Sequence, residues 1–288
     1  MCAATSPSET IAPPRWSDGA AVIALAADGG VTRLRDLYQS DPCRVLFPRP
    51  AEGAAFEAVV VTTSGGVVGG DRIAIDIEAR AGVTATVTTQ AAEKIYRSAG
   101  SDSLIGVDMR VGAGATLEWM PRETILFDGA RLRRTTTIEA VPGSRFLAGE
   151  FVMFGRRART ETFTRGLLHD AWRVREGGRL IWADALHLEG EVAGVIVRRT
   201  AFDGAAGIGT IVYRADDARD RLGRARDILA LLTGNACEAA ATCMGALLIV
   251  RFVGRQEPAL RAAVAGFWSA FRAEAIALPA RLPRVWET

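Results

Sequence analysis

The chain's single lysine, Lys94, lies in the run Thr88-Thr89-Gln90-Ala91-Ala92-Glu93-Lys94-Ile95-Tyr96-Arg97-Ser98, shortly after Gly65-Gly66-Val67-Val68-Gly69-Gly70-Asp71. Glu93, Lys94, Tyr96 and Arg97 bring an acid, two cations and an amphipathic ring into one short stretch. In an enzyme such a set could do acid–base work; in a scaffold it would pin a loop or meet a partner. Every other basic side chain is arginine. An ammonium is a compact donor that a planar guanidinium does not reproduce, so Lys94 answers either a geometric need or chance. The paired glycines Gly65, Gly66, Gly69 and Gly70 permit close backbone approach, either to a ligand or to another strand. Asp71 ends that run, where a carboxylate caps local amides or faces a polar cavity.

Several chemistries lack their residues. There is no phosphate loop, no Gly-x-Ser-x-Gly elbow and no His-Glu-x-x-His, which removes the usual scaffolds for nucleotide hydrolysis, elbow-serine catalysis and zincin chemistry. The only two histidines, His169 and His187, stand apart with no neighbouring cysteine, the pattern of structural residues more often than of ligands. Cys2, Cys43, Cys237 and Cys243 form neither a disulfide framework nor a Cys-x-x-Cys knuckle, so reduced thiols in a cytoplasmic protein are expected. With a formal net charge of +2 and arginines interleaved with acids, the chain offers no nucleic-acid footprint. The clusters Arg131–Arg134 and Arg156–Arg159 read as solvated strand faces. The apolar run Ala20–Ala27 is too short to span a bilayer and suits a buried strand, so neither cleavage nor a membrane anchor is expected.

Most of the chain reads as strand. Ile73, Ile75 and Ile77 alternate with Ala74, Asp76 and Glu78, and Gly82 turns the chain into Val83–Thr89, a pattern resembling a hairpin. Further strands are expected at 105–111, 116–120, 131–139, 146–154, 160–164, 171–175, 179–188, 195–201 and 247–250, separated by turn residues such as Pro142-Gly143 and Gly177-Gly178. Helical spacing appears late, at Asp216–Gly234 and at about Pro258–Ala275, where Leu260, Val264, Phe267, Trp268 and Phe271 form one apolar stripe. No fixed-period sequence repeat is present. Residues 1–15 read as a loose tail, with one domain expected over 16–288.

The glycine run, Thr88–Ser98, Leu117-Glu118-Trp119-Met120-Pro121-Arg122-Glu123-Thr124-Ile125-Leu126-Phe127-Asp128-Gly129-Ala130, Phe163-Thr164-Arg165-Gly166 and Leu282-Pro283-Arg284-Val285-Trp286, taken in this order, resemble the urease accessory protein family UreD, also called UreH. The resemblance implies a mainly β fold, a β-helix-like stack of many short strands with two amphipathic helices near the C-terminus. It implies a cytoplasmic, non-catalytic maturation factor that binds the urease apoprotein and, with UreF-like and UreG-like partners, helps install nickel. Nickel(II) would pass in transit, with no permanently bound cofactor, through an internal acidic tunnel whose matching positions are Asp71, Glu150 and Asp184. Sparse carboxylates suit that role, since oxygen donors hold Ni²⁺ less tightly than imidazole or thiolate. Gly65, Gly66, Gly69, Gly70, Lys94, Tyr96, Arg97, Glu118, Trp119 and Pro121 would then be structural or partner-contact positions. The chain departs from the family pattern at Gly149, where relatives often carry tryptophan, and at Gln90, where proline is usual. The competing expectation is a carbohydrate-active enzyme on a stacked β-fold, using Asp71 with Lys94 or Tyr96 as acid and base.

Overall fold

A computed structural model describes residues 17–49 and 52–287; the expected tail at 1–15 lies outside them. Strand makes up 52% of the structure, wound as a β-solenoid of about 4 turns. The chain alternates between two sheets. Arg72–Ala79, Ser103–Val111, Arg131–Ala140 and Arg165–Glu176 lie parallel in the first, flanked by Gly19–Asp28 and Val31–Ser40 at one edge and Arg179–Glu191 at the other. Phe56–Thr62, Thr84–Thr89, Thr116–Trp119 and Arg145–Arg156 lie parallel in the second, which continues antiparallel through Gly207–Arg214, Leu247–Gly254 and Cys237–Met244. The corners that lead from Arg72–Ala79, Ser103–Val111 and Arg131–Ala140 into the second sheet are tight turns with a glycine at positive φ: Gly82 at 72°, Gly114 at 65° and Gly143 at 77°.

The expected hairpin at 73–89 is therefore corrected. Arg72–Ala79 pairs in parallel with Gly19–Asp28 and Ser103–Val111, while Thr84–Thr89 pairs in the other sheet with Phe56–Thr62 and Thr116–Trp119. A two-sided apolar demand decides this, because each strand must bury one face between the sheets. The inward row Ile73, Ile105, Arg134, Asp170 puts successive coils 32, 29 and 36 residues apart, which explains why no fixed period is legible.

The space between the sheets holds one core, including Ile75, Ile77, Val107, Leu117, Phe146, Ile138 and Trp172. A second core lies on the outer face of the second sheet. There α3 (Glu257–Ile276) lays Leu260, Val264, Phe267, Trp268 and Phe271 on the sheet, and α2 (Leu222–Leu232) packs beside it. Burying side chains of this size contributes roughly 1.5–3 kcal/mol each. The helix expected from Asp216 starts only at Leu222, because Asp217 is engaged upstream: its carboxylate accepts from Tyr213 Oη at 2.8 Å and from Arg221 Nε at 2.9 Å. The strand expected at 195–201 is instead the short helix α1 (Ala193–Ile196) followed by turns, with local bonds from Val197 N to Ala193 O and from Phe202 N to Arg198 O. Within the expected strand 160–164 only Glu161–Thr162 pairs, after a 3-10 turn at Arg157–Arg159. The edge strands Val31–Ser40 and Cys237–Met244 lacked a clean alternation to announce them.

Candidate functional site

All four connections from the second sheet back to the first leave on one side of the solenoid, and they carry the sequence runs singled out above. They stack on one another. Val67 bridges Ile95, Glu93–Ile95 pairs in parallel with Thr124–Leu126, and Thr124–Leu126 pairs with Val152–Phe154. Close approach is what the glycines supply: a Cβ on Gly69 would stand 2.1 Å from Ser98 Oγ and 2.6 Å from Ser101 O, and one on Gly66 2.5 Å from Lys94 O. Tyr96 Oη donates to Gly65 O at 2.8 Å, and Asp71 Oδ2 accepts from Val68 N at 2.9 Å, closing its own turn. Arg97 donates to Asp128 O at 3.2 Å, while Asp128 Oδ1 accepts from Thr164 N and Thr164 Oγ1. Lys94 points to solvent. Asp71 and Tyr96 thus each fasten a loop through a backbone group.

Behind this edge, Glu93 is the inward residue. Thr62 Oγ1 donates to its Oε2 at 2.7 Å, and burial pushes its carboxyl upward against the lowering effect of Thr62 and Lys94, with Asp71 close enough to add to the rise. Glu93, Thr62, Val60 and Thr89 line both a surface depression of about 140 Å³ beside Gly65 and Gly66 and an internal space of about 40 Å³ that reaches Trp119, Arg134 and Glu150.

In that interior sits a buried ionic triad. Glu150 Oε2 lies 2.6 Å from Arg134 Nε, Arg134 donates to Asp170 at 3.0 and 2.7 Å and to Thr124 Oγ1 at 2.8 Å, and Thr136 Oγ1 donates to Glu150 Oε1 at 2.7 Å. The Arg134 and Glu150 side chains are 6% and 2% exposed. Burial drives the Glu150 carboxyl up to about 7; Arg134 opposes the rise, but Asp170 competes for the same guanidinium. Burial also works against the charge of Arg134, yet Asp170 and Glu150 hold it above its ordinary value. Of the cluster Arg131–Arg134, then, Arg134 is no solvated residue. Its inward position could have been seen in the alternation Leu132, Arg134, Thr136, Ile138, where a lone cation interrupts an apolar face. Asp170 and Thr136 carried no comparable signal.

The inner row continues from Glu150 through Thr210 to Arg251, whose Nη2 donates to Asp184 Oδ2 at 2.8 Å across the two sheets. Asp184 is thus at a partly exposed end of the inter-sheet layer and Asp71 at the loop edge. The three do not gather: among the described residues, no group of three or more His, Cys, Asp or Glu side chains forms a metal-holding cluster. Gly149 faces the opposite way from Glu150, and its absent Cβ would meet Ile211 and the Met120 sulfur at 2.8 and 2.9 Å. Its departure from tryptophan therefore concerns packing of the helix layer.

On that outer face, Glu118 is wholly buried and fully bonded. It accepts from Arg272 at 3.0 and 2.6 Å, from Trp268 Nε1 at 2.7 Å and from Thr86 Oγ1 at 2.5 Å. Arg272 also donates to the carbonyls of Pro279 and Arg281, and Trp286 Nε1 donates to Thr88 Oγ1 at 2.9 Å. Glu123, next along the same run, accepts from Arg261 of α3 at 2.9 and 2.5 Å; burial raises its carboxyl, but Arg261 more than offsets this and holds it below the usual range. The terminal Leu282–Trp286 run and the Leu117–Ala130 run are thus two halves of one clasp. Trp119 lies on the inner face instead, and Pro121 lines the internal space.

Geometry of this kind defines a β-solenoid protein whose marked residues hold coils, helices and a C-terminal strap together around an apolar core that encloses the Arg134 ionic triad. Among the described residues no helix is long and apolar enough to cross a membrane. Comparison gives the particular family. Residues 17–287 match the family described as UreD urease accessory protein, and the chain belongs to it. It is 42% identical over 287 residues to a urease accessory protein UreD of Magnetococcus marinus, covering 99% of each chain. Relatives of the same name from Methylobacterium sp. (strain 4-46) and Xanthobacter autotrophicus are 42% and 43% identical, over 96% and 94% of this chain and 97% and 90% of theirs.

Proposed function

We propose that this chain is a non-catalytic scaffold in urease maturation, binding the urease apoprotein with UreF-like and UreG-like proteins and letting nickel(II), as cargo, cross its interior. Family membership supports the urease role. The observation that carries the path is the small internal space whose lining includes both Glu93 and Glu150. From there Thr210, Arg251 and Asp184 extend the polar row to the far end of the stack. Arg134 pairs with Glu150 and Arg251 with Asp184, so at those positions a passing dication would displace a guanidinium instead of meeting a bare trap; oxygen donors suit such brief contacts. The absence of a phosphate loop leaves the energy-using step to a separate partner. Reconstitution in cells expressing urease subunits with and without this chain tests the reading. It requires copurification with the UreF-like protein and urease activation dependent on the chain. Failure of either overturns it.

A further inference from the structure

We infer that His169 and His187 form a surface binding site for a late first-row divalent cation on the outer face of the first sheet, separate from the interior. The two residues are 18 positions apart in sequence, yet the antiparallel register of Arg165–Glu176 with Arg179–Glu191 sets them directly opposite one another. Their ring centroids lie 5.5 Å apart with the planes inclined at 64°. Metal–imidazole bonds of about 2.0–2.1 Å place each centroid about 3.2 Å from the ion, so two ligands at a tetrahedral angle have centroids about 5.2 Å apart. The observed 5.5 Å separation is close to that value. His169 Nδ1 is buried with no hydrogen-bond partner, a donor set aside from the protein's own network. Glu189 Oε2, 3.4 Å from His187 Nε2, adds negative charge beside the pair. The nearest cations are already matched, Arg131 by Asp102 and Glu189 and Arg133 by Asp102. Two imidazoles with water completing the shell favour Cu²⁺, Ni²⁺ and Zn²⁺ over Mg²⁺ or Ca²⁺.

Because the chain contains only these two histidines, the assignment can be read without ambiguity. Tag-free full-length protein is titrated with NiCl₂ by calorimetry and with CuCl₂ by electron paramagnetic resonance. One equivalent of ion should bind, with hyperfine coupling to two imidazole nitrogens. His169→Ala and His187→Ala should each weaken Ni²⁺ binding by about tenfold or more and leave one coupled nitrogen; the double variant should lose both. The variants' unchanged far-ultraviolet dichroism shows that the sheet persists, and His187→Asn serves if His187→Ala does not fold. Glu150→Gln should leave this site untouched, so its loss and the loss of the interior path are distinguishable. Undiminished affinity in the double variant, or a wild-type Cu²⁺ spectrum without nitrogen coupling, overturns the site.

Discussion

Replacing Arg134 with methionine removes the one cation of the interior triad while nearly keeping its volume, so a packing void contributes little to the outcome. It leaves Glu150 and Asp170 facing each other inside the solenoid, Glu150 with a side chain only 2% exposed. Breaking a buried pair by deleting one partner costs about 3–5 kcal/mol. Stability is followed by urea unfolding with tryptophan fluorescence, since Trp119 lines the same space as Arg134 and Glu150. With a urea slope of about 3 kcal/mol/M, the midpoint should fall by about 1–1.7 M at pH 8. The sign with pH follows from Glu150, whose folded carboxyl is raised from 4.5 to about 7. A raised acid lets the folded state keep a proton that the unfolded chain releases, so stability falls as pH climbs through that window. Without Arg134 the carboxyl rises further, and the variant's deficit should shrink at pH 5, where Glu150 is neutral. Arg134→Met combined with Glu150→Leu and Asp170→Val should recover most of the loss. A single variant within about 1 kcal/mol of wild type at pH 8, or a deficit as large at pH 5, would show that Arg134 does not offset the two buried carboxylates.

Glu118→Ala strips Arg272, Trp268 and Thr86 of their shared acceptor; a loss of about 3–5 kcal/mol in urea unfolding is expected, with faster tryptic cleavage at Arg281 and Arg284. Gly69→Ala forces a Cβ against Ser98 and Ser101 and should cost about 1–3 kcal/mol, whereas Gly65→Ala, whose nearest neighbour would be Tyr96 Oη at 3.7 Å, should be milder in the same melting assay. Burial, reinforced by Asp108, pushes Asp76 up to about 6; Asp76→Asn should therefore raise the melting temperature at pH 7 and leave it unchanged near pH 4, and an equal effect at both would exclude that cause.

The inward face of the solenoid was legible wherever alternation was clean, as in Ile73, Ile75 and Ile77, and α3 was legible from its five-residue apolar stripe. What sequence could not show was partnership. Thr84–Thr89 follows Arg72–Ala79 through a glycine turn as a hairpin strand would, and only the inter-sheet core sends it to a different sheet. Unequal return loops erased the coil period. For the same reason Glu118 and Arg272, 154 residues apart, gave no hint of their pairing, and the two histidines gave none of theirs. Glu150 was marked by resemblance alone and Asp71 also by its place at the end of the glycine run, while the guanidinium that accompanies Glu150 lay within an arginine cluster that looked solvent-facing.

The proposed passage of nickel along the interior carboxylates is tested by coexpressing the Asp71→Ala/Glu150→Ala variant with urease and its partners and measuring nickel per urease active site. An intact partner complex carrying under-metallated urease of low activity is expected. Fully nickel-loaded, fully active urease from that variant would contradict it.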